Sequence, residues 1–345
     1  MGWGVSAYRV TQKDIAKLAG VSQTIVSFVV NDREESLSRV PDATRARVLR
    51  IIQETGYVAD PIARRLKQIG NRMIGVYTYE ALFPLDREDF FFPFLAGIEE
   101  EAQRLDHDLL LLTSGRAGGT NLGLSAGATR LRLADCCILL GQNMPSEELK
   151  FLKGSGFPFV SVGRRDDIGE PIPYVAADYE SAVSALAARA AALGHRRFAY
   201  LGFGEGPESY VDRRKGFESG TGGQGVQIEP TGDPAGWVRA LREASASVVF
   251  VEQDDALEAL SAALDDAGLT VPHDLSVVSL SGSLDSPDGV TGFRIPRREM
   301  GRLAVSIVSG AMDKDSQVNL SCELVDGRTL ARPAEPGTPA GQTSS

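Results

Sequence analysis

The chain reads as an N-terminal all-α helix-turn-helix domain followed by an α/β body of two doubly wound parallel-sheet subdomains. Three observations predict this. Residues 11–31 carry two short apolar-periodic segments interrupted by a glycine; residues 73–280 alternate short apolar runs with helical segments; and charge is divided unequally between the two regions. With 345 residues the chain is long enough for two or three domains. At 43% hydrophobic and 24% charged it has the composition of ordinary globular material, and no apolar run approaches a membrane span.

The elements follow in order. The opening MGWGVSAYRVTQKD lacks the long apolar core of a signal peptide, so a cytoplasmic protein with no membrane partner is expected. Thr11 is a good helix N-cap, Asp14 stands where a capping acid belongs, and Ile15, Leu18 and Ala19 make one apolar stripe. Gly20 stops that helix, because glycine adopts positive φ without steric cost. Ser22 caps a second helix whose Ile25, Val26, Val29 and Val30 pack back on the first. In a helix-turn-helix the residues opening the second helix face outward, toward a major groove. Here they are Gln23 and Thr24, with Phe28 one turn later. Asp32–Arg39 is a polar loop. Pro41-Asp42-Ala43-Thr44 opens a third helix, with Val48, Ile51 and Ile52 inward, Arg45, Arg47 and Arg50 outward, and Gly56-Tyr57 at its end. Asp60–Lys67 is a short amphipathic segment with Pro61 in its first turn, too short to be stable alone, and Gln68–Asn71 connects it onward.

Charge supports this division. Residues 1–72 hold 12 Lys and Arg against 7 Asp and Glu, whereas the whole chain holds 36 against 46. A basic head on an acidic body suits a protein that sets one end on phosphate.

From Met73 the texture changes. Met73–Tyr79, Leu109–Thr113, Cys136–Leu140, Phe159–Val162, Phe198–Leu201, Val248–Val251 and Ser276–Leu280 read as strands buried on both faces of parallel sheets. Pro93–Leu105, Tyr179–Ala192, Asp212–Ser219, Ala235–Ala244 and Asp255–Ala267 read as helices between them. So many βα units imply two similar lobes. The tail after Ala331, rich in Pro, Gly and Thr, is expected to be disordered.

Asp14-Ile15-Ala16, Ala19-Gly20-Val21-Ser22, Val26-Ser27 and Asn31 match, position for position, the DNA-binding domain of the lac repressor/gal repressor family, which the chain resembles. The body resembles that family's periplasmic-binding-protein-like core at Gly97-Ile98-Glu99-Glu100, Val162-Gly163-Arg164, Leu193-Gly194-His195-Arg196-Arg197 and Arg213…Gly216-Phe217. Further markers are Val271-Pro272…Asp274-Leu275-Ser276-Val277 and Glu299-Met300-Gly301. The resemblance implies a DNA-binding domain at 1–59, a hinge helix and linker at 60–72, a two-lobed core at 73–332 and a flexible tail at 333–345. One lobe would hold about 73–190 and 297–320, the other about 191–296 and 321–332.

It also implies a homodimeric transcriptional regulator, most often a repressor, on near-palindromic double-stranded operator DNA. DNA contacts would come from Thr11, Gln12, Ser22, Gln23, Thr24, Ser27, Phe28, Asn31 and Tyr57, with Leu66 wedged into the central minor-groove step and Ala63 allowing close approach. Asp60 stands where the family usually has Asn, and Phe28 where some relatives carry a base-contacting arginine. The tail has no apolar heptads for a coiled-coil tetramer.

In open α/β sheets ligands bind at the carboxyl ends of strands. That rule selects Tyr79, Glu80, Phe90 to Phe92, Ser114, Arg164, Asp178, Arg213 and Gln253. The effector-binding set is Tyr79, Phe91, Phe92, Arg164, Asp178, Arg213 and Gln253. Arg213 leads it, because in the family's Arg-x-x-Gly-Phe pattern the arginine points into the effector cleft. Asp178 either accepts from ligand hydroxyls or caps the helix beginning at Tyr179, and two of the three rings at 90–92 suit a core role. Where the family has Asn-Asp and Gly-Phe-Asp-Asp, this chain has Glu252-Gln253 and Ser279-Leu280-Ser281-Gly282. A sugar or sugar derivative is the expected effector, and the lost acids leave room for an anionic one.

Other function classes find less support. Gly202-Phe203-Gly204-Glu205-Gly206 lacks dinucleotide-loop spacing, Gly118-Gly119-Thr120 lacks a P-loop lysine, and no nucleophile triad or carboxylate pair stands out. Three cysteines and three scattered histidines give no metal-type spacing. No catalytic residue, metal or cofactor is expected. The alternative to a regulator is a solute-binding protein without gene control.

Overall fold

A computed structural model describes residues 10–31, 40–55, 57, 72–78, 80, 88–113, 133–141, 145–282 and 289–334. The chain divides into two compact units, Met1–Asn71 and Arg72–Ser345. The expected hinge helix, with Ala63 and Leu66, and Tyr79 of the expected cleft lie outside the described residues.

In the first unit, α1 (Gln12–Ala19), α2 (Gln23–Asn31) and α3 (Asp42–Thr55) surround one small core. The Thr11 hydroxyl and the Asp14 carboxylate close a reciprocal capping box: the Asp14 N–H donates to Thr11 Oγ1 at 3.3 Å and the Thr11 N–H to Asp14 Oδ2 at 2.9 Å. Gly20 ends α1 in the left-handed region at φ 61°. Ile15, Ala16, Ala19, Val26, Val29, Val40 and Val48 fill the core. Leu18, expected in the stripe, is instead 61% exposed, because α2 and α3 cover only the Ile15–Ala19 side of α1.

The second unit holds two parallel sheets. Strands β1 (Met73–Tyr77), β2 (Asp108–Leu112), β3 (Cys136–Leu140), β4 (Phe159–Val162), β5 (Tyr174–Asp178) and β11 (Gln317–Ser321) form the first, in the order β11-β5-β4-β3-β1-β2. Strands β6 (Phe198–Leu201), β7 (Gly225–Ile228), β8 (Val248–Val251) and β9 (Ser276–Ser279) form the second, in the order β7-β6-β8-β9. A two-stranded antiparallel ribbon, β10 (Gly292–Arg294) with β12 (Glu323–Val325), completes the topology. The helices are α4 (Glu88–Arg104), α5 (Ser146–Gly154), α6 (Tyr179–Leu193), α7 (Glu208–Thr221), α8 (Pro234–Glu243), α9 (Asp254–Asp266) and α10 (Arg297–Val308). None of the described helices is long and apolar enough to cross a membrane.

The first lobe packs α4 against α10, and the contact is close. A Cβ on Gly97 would lie 1.9 Å from the Arg298 carbonyl oxygen, and one on Gly301 would lie 2.3 Å from that of Phe94. Only hydrogens fit between the two backbones there. The second lobe crosses α6 with α7 in the same manner over Gly216 and Gly220.

Helix α6 corrects the expected lobe boundary near residue 190. Its Ala182, Val183, Leu186, Ala187 and Ala190 pack with Phe198, Tyr200, Phe217 and Phe250, so the chain leaves the first lobe at Asp178. It returns between Arg294 and Arg297 and leaves again after Ser321. Tyr179, Ile295 and Cys322, one at each passage, touch the cores of both lobes.

The ordered chain also runs past the expected start of the tail. Ala331 accepts from His195 Nε2 at 2.7 Å, its N–H donates to Ser276 Oγ at 3.2 Å, and Pro333 lies beside Gly194. Residues 335–345 lie outside the described residues.

Candidate nucleic-acid interface and ligand cleft

In the first unit Ser22, Gln23 and Thr24 are exposed at the opening of α2, while Val26, Ser27 and Val29 are buried. The Ile25 N–H donates to Ser22 Oγ at 3.3 Å, so Ser22 acts as the expected cap. Among the described residues of α2, exposed side chains are thus confined to its opening, the part of such a helix that meets base edges. Thr11 is exposed and Gln12 half-buried at the start of α1. Two expectations change. Ser27 does not face outward, because α2 packs on both α1 and α3 and its buried sector is wide enough to include it. Phe28 is half-buried, its ring shared between the core and the surface. Tyr57 also packs on this core, its N–H donating to the Ile52 carbonyl at 3.2 Å. The side chain of Asn31 lies outside the described residues.

In the second unit a cavity of about 70 Å³ opens between the lobes at the carboxyl ends of β3, β4 and β5. Its floor is apolar, from Phe90, Phe91 and Phe94 of α4, Val162, Ala176, Ala177, Tyr179 and Met300. Its rim is charged: Arg164 and Arg165 from the first lobe face Glu208, Ser209 and Asp212 on the opening turns of α7. Arg164 Nη2 donates to Asp212 Oδ1 at 2.5 Å, and Asp166 also pairs with Arg164. The Asp166 N–H donates to Glu208 Oε1 at 2.8 Å, and Arg165 Nε lies 3.7 Å from the same oxygen. Burial raises the Glu208 carboxyl above its ordinary value.

The sequence-predicted residues divide. Arg164 and Phe91 line the cavity; Phe92 turns away and is 66% exposed. Asp178 caps α6, accepting from the Ser181 N–H at 3.1 Å. Arg213 does not reach the cavity as expected. It is 5% exposed, donates to the Leu280 carbonyl at 2.7 Å and the Ser209 carbonyl at 3.1 Å, and lies 4.1 Å over the Tyr179 ring. The cleft therefore meets the ring, with the guanidinium behind it. Gln253 donates to Tyr210 Oη at 3.0 Å. Its neighbour Glu252, 2% exposed, accepts from Tyr200 Oη at 2.5 Å and from the Phe203 N–H at 2.9 Å. The acid at this strand end, Glu252, thus points inward rather than into the cleft.

Arg165, Glu208, Ser209 and Asp212 were not foreseen as cleft residues, whereas Phe90, one of the strand-end candidates, joins Phe91 on the floor. Pro207 was the available signal: proline at a helix start puts the first turn of α7 at Glu208, four residues earlier than the expected Asp212. That shift carries Glu208 and Ser209 to the rim.

Comparison with known proteins bears on both sites. The model of bacterial regulatory proteins of the lacI family matches residues 11–60, and that of the periplasmic binding protein-like domain matches residues 187–330. Catabolite control protein A of Priestia megaterium is 26% identical over 323 residues, covering 89% of this chain and 94% of that protein. Among solved structures, the lac repressor dimer bound to operator and an anti-inducer aligns with a TM-score of 0.72 at 21% identity, over 93% of this chain and 99% of that one. A complex of the transcriptional regulator CelR with cellobiose aligns with a TM-score of 0.62 at 22% identity, over 93% and 100%. Helix-turn-helix unit and two-lobed core together place the chain in one family: it is a DNA-binding transcriptional regulator of the lacI family.

Proposed function

We propose that the protein is a cytoplasmic repressor that binds a near-palindromic operator as a homodimer and is controlled by a sugar or sugar derivative in the interlobe cleft. The observation that carries the DNA half is the exposure of Gln23 and Thr24 at the opening of a helix whose Val26, Ser27 and Val29 are buried. Two such helices from a dimer would lie in successive major grooves, with the paired Leu66 side chains at the operator centre. The effector half rests on the cleft. An apolar floor suits the flat face of a sugar ring, and a rim of two arginines and two carboxylates offers both donors and acceptors to its hydroxyls. The balanced rim favours a neutral ligand over an anionic one. Phe90, Phe91, Tyr179, Arg164, Ser209 and Asp212 would touch the ligand, with Arg213 and Gln253 acting through Tyr179 and Tyr210. An effector that binds one arrangement of the lobes better than the other shifts the population between them, and operator affinity follows.

Selection of a binding site from random duplex DNA, followed by footprinting, tests the reading. Gln23→Ala is expected to cost about 1–3 kcal/mol of discrimination at its base pair. Leu66→Ala should weaken binding to the selected site more than to random DNA. Equal affinity of the wild type for selected and random duplexes at low salt would overturn the proposal.

A further inference from the structure

The rim of the cleft does more than line it. Five residues join the lobes across its mouth: Arg164, Arg165 and Asp166 on the turn after β4, and Glu208 and Asp212 on the first turns of α7. The Arg164–Asp212 and Arg165–Glu208 pairs involve side chains about four-fifths or more buried, where an ion pair is screened less than on an open surface. The Asp166 N–H adds a backbone bond to Glu208 that fixes the turn as well as its side chains. Behind these bonds the cavity is about 70 Å³, smaller than a hexose.

We propose that this cluster is an interlobe latch, and that an effector acts by inserting between Arg164 and Asp212 and thereby releasing α7 from the turn at 163–167. The inference rests on the reading of the cleft as the effector site and supplies its regulation. Separating Arg164 from Asp212 takes one charged hydrogen bond from each in a largely buried place, with only Asp166 still paired to Arg164, which is costly. A hydroxyl is donor and acceptor at once, so it satisfies both partners as it parts them. An anion would satisfy Arg164 and then face Asp166, Glu208 and Asp212. The latch therefore sets both the threshold for opening and the kind of group that overcomes it.

The test is hydrogen–deuterium exchange on the full-length protein without effector or DNA, with small-angle scattering alongside. The Asp166 amide reports the latch directly, because its acceptor lies on the other lobe. In Asp212→Ala and Glu208→Ala the amides of residues 163–167 should exchange about tenfold faster and the radius of gyration should rise, with unchanged circular dichroism. Raising sodium chloride on the wild type should move exchange in the same direction. The exchanged pair Arg164→Asp with Asp212→Arg should restore protection. Wild-type exchange and scattering in both alanine variants, or no response of the wild type to salt, would overturn the latch. Because neither measurement involves an operator or a sugar, failure of the DNA or effector reading would leave these outcomes intact, and the reverse also holds.

Discussion

Replacing Gly97 or Gly301 by alanine inserts a methyl group where the α4–α10 crossing has no space. The new Cβ would stand 1.9 Å from the Arg298 carbonyl oxygen in the first case and 2.3 Å from that of Phe94 in the second, against 3.4 Å or more in ordinary contact. The obstructing atoms are backbone, so no rotamer change relieves the clash and the helices must part by about 1 Å. A gap of that size forfeits roughly a quarter to a half of each dispersion contact across it, here among Phe94, Ile98, Met300 and Ala304. Overpacking costs typically about 1–3 kcal/mol, here about 2–3 kcal/mol because the obstructing atoms are backbone, and the better helix propensity of alanine returns about 1 kcal/mol. The expected net loss is about 1–2 kcal/mol for each variant, read as a lower midpoint in urea unfolding of the core. The double variant should lose less than the sum, because parting the helices once accommodates both methyls. Gly154 at the end of α5 is the control: a Cβ there meets nothing within 4 Å, so Gly154→Ala should be neutral or slightly stabilising. An unchanged midpoint in Gly301→Ala, or strictly additive losses, would refute the argument.

Two further predictions concern pH. His195 is fully buried between Ser247 and the Ala331 carbonyl, and burial lowers its value below 6.5, so the unfolded chain takes up its proton first as pH falls. Its contribution is complete above about pH 6.5 and declines below it; His195→Gln should flatten the thermal midpoint between pH 7.5 and about 5. Glu101 is held at about 2 against an ordinary 4.5, mainly by its hydrogen bonds from Arg104, with Ser306 also donating to it. Its stabilisation is present above about pH 4.5 and lost as pH falls through about 2, so Glu101→Gln should remove that part of the acid-unfolding limb and lower stability at neutral pH.

The reading head was legible in the sequence because its determinants are local. Thr11, Asp14, Gly20 and Ser22 act within one turn of their own positions, and the 3.6-residue period of the valines specifies what the helices bury. The central parallel strands were legible for a similar reason: Cys136–Leu140, Phe159–Val162, Phe198–Leu201 and Val248–Val251 are covered on both faces and leave apolar runs broken only by Ser161. Strands β5, β7 and β11 escaped. In β11, QVNLS, polar and apolar residues alternate, as befits an edge with one solvated face, and β5 and β7 are short runs interleaved with small or polar residues.

What the chain alone could not determine was where long-range partners fall. Arg213 satisfies its motif in sequence, yet its direction depends on the Leu280 carbonyl and the Tyr179 ring, brought to it from another strand and another helix. The expected boundary near residue 190 put α6 in the first lobe, because its apolar face would suit either sheet and only packing against Phe198 and Tyr200 assigns it to the second. Local capping and periodicity therefore determined most of the elements, and motif residues such as Ala19-Gly20-Val21-Ser22 carried the family resemblance. Tertiary packing decided which side chains face the cleft, because hydrogen bonds and ion pairs between segments dozens of residues apart leave no periodic trace in the order of the residues.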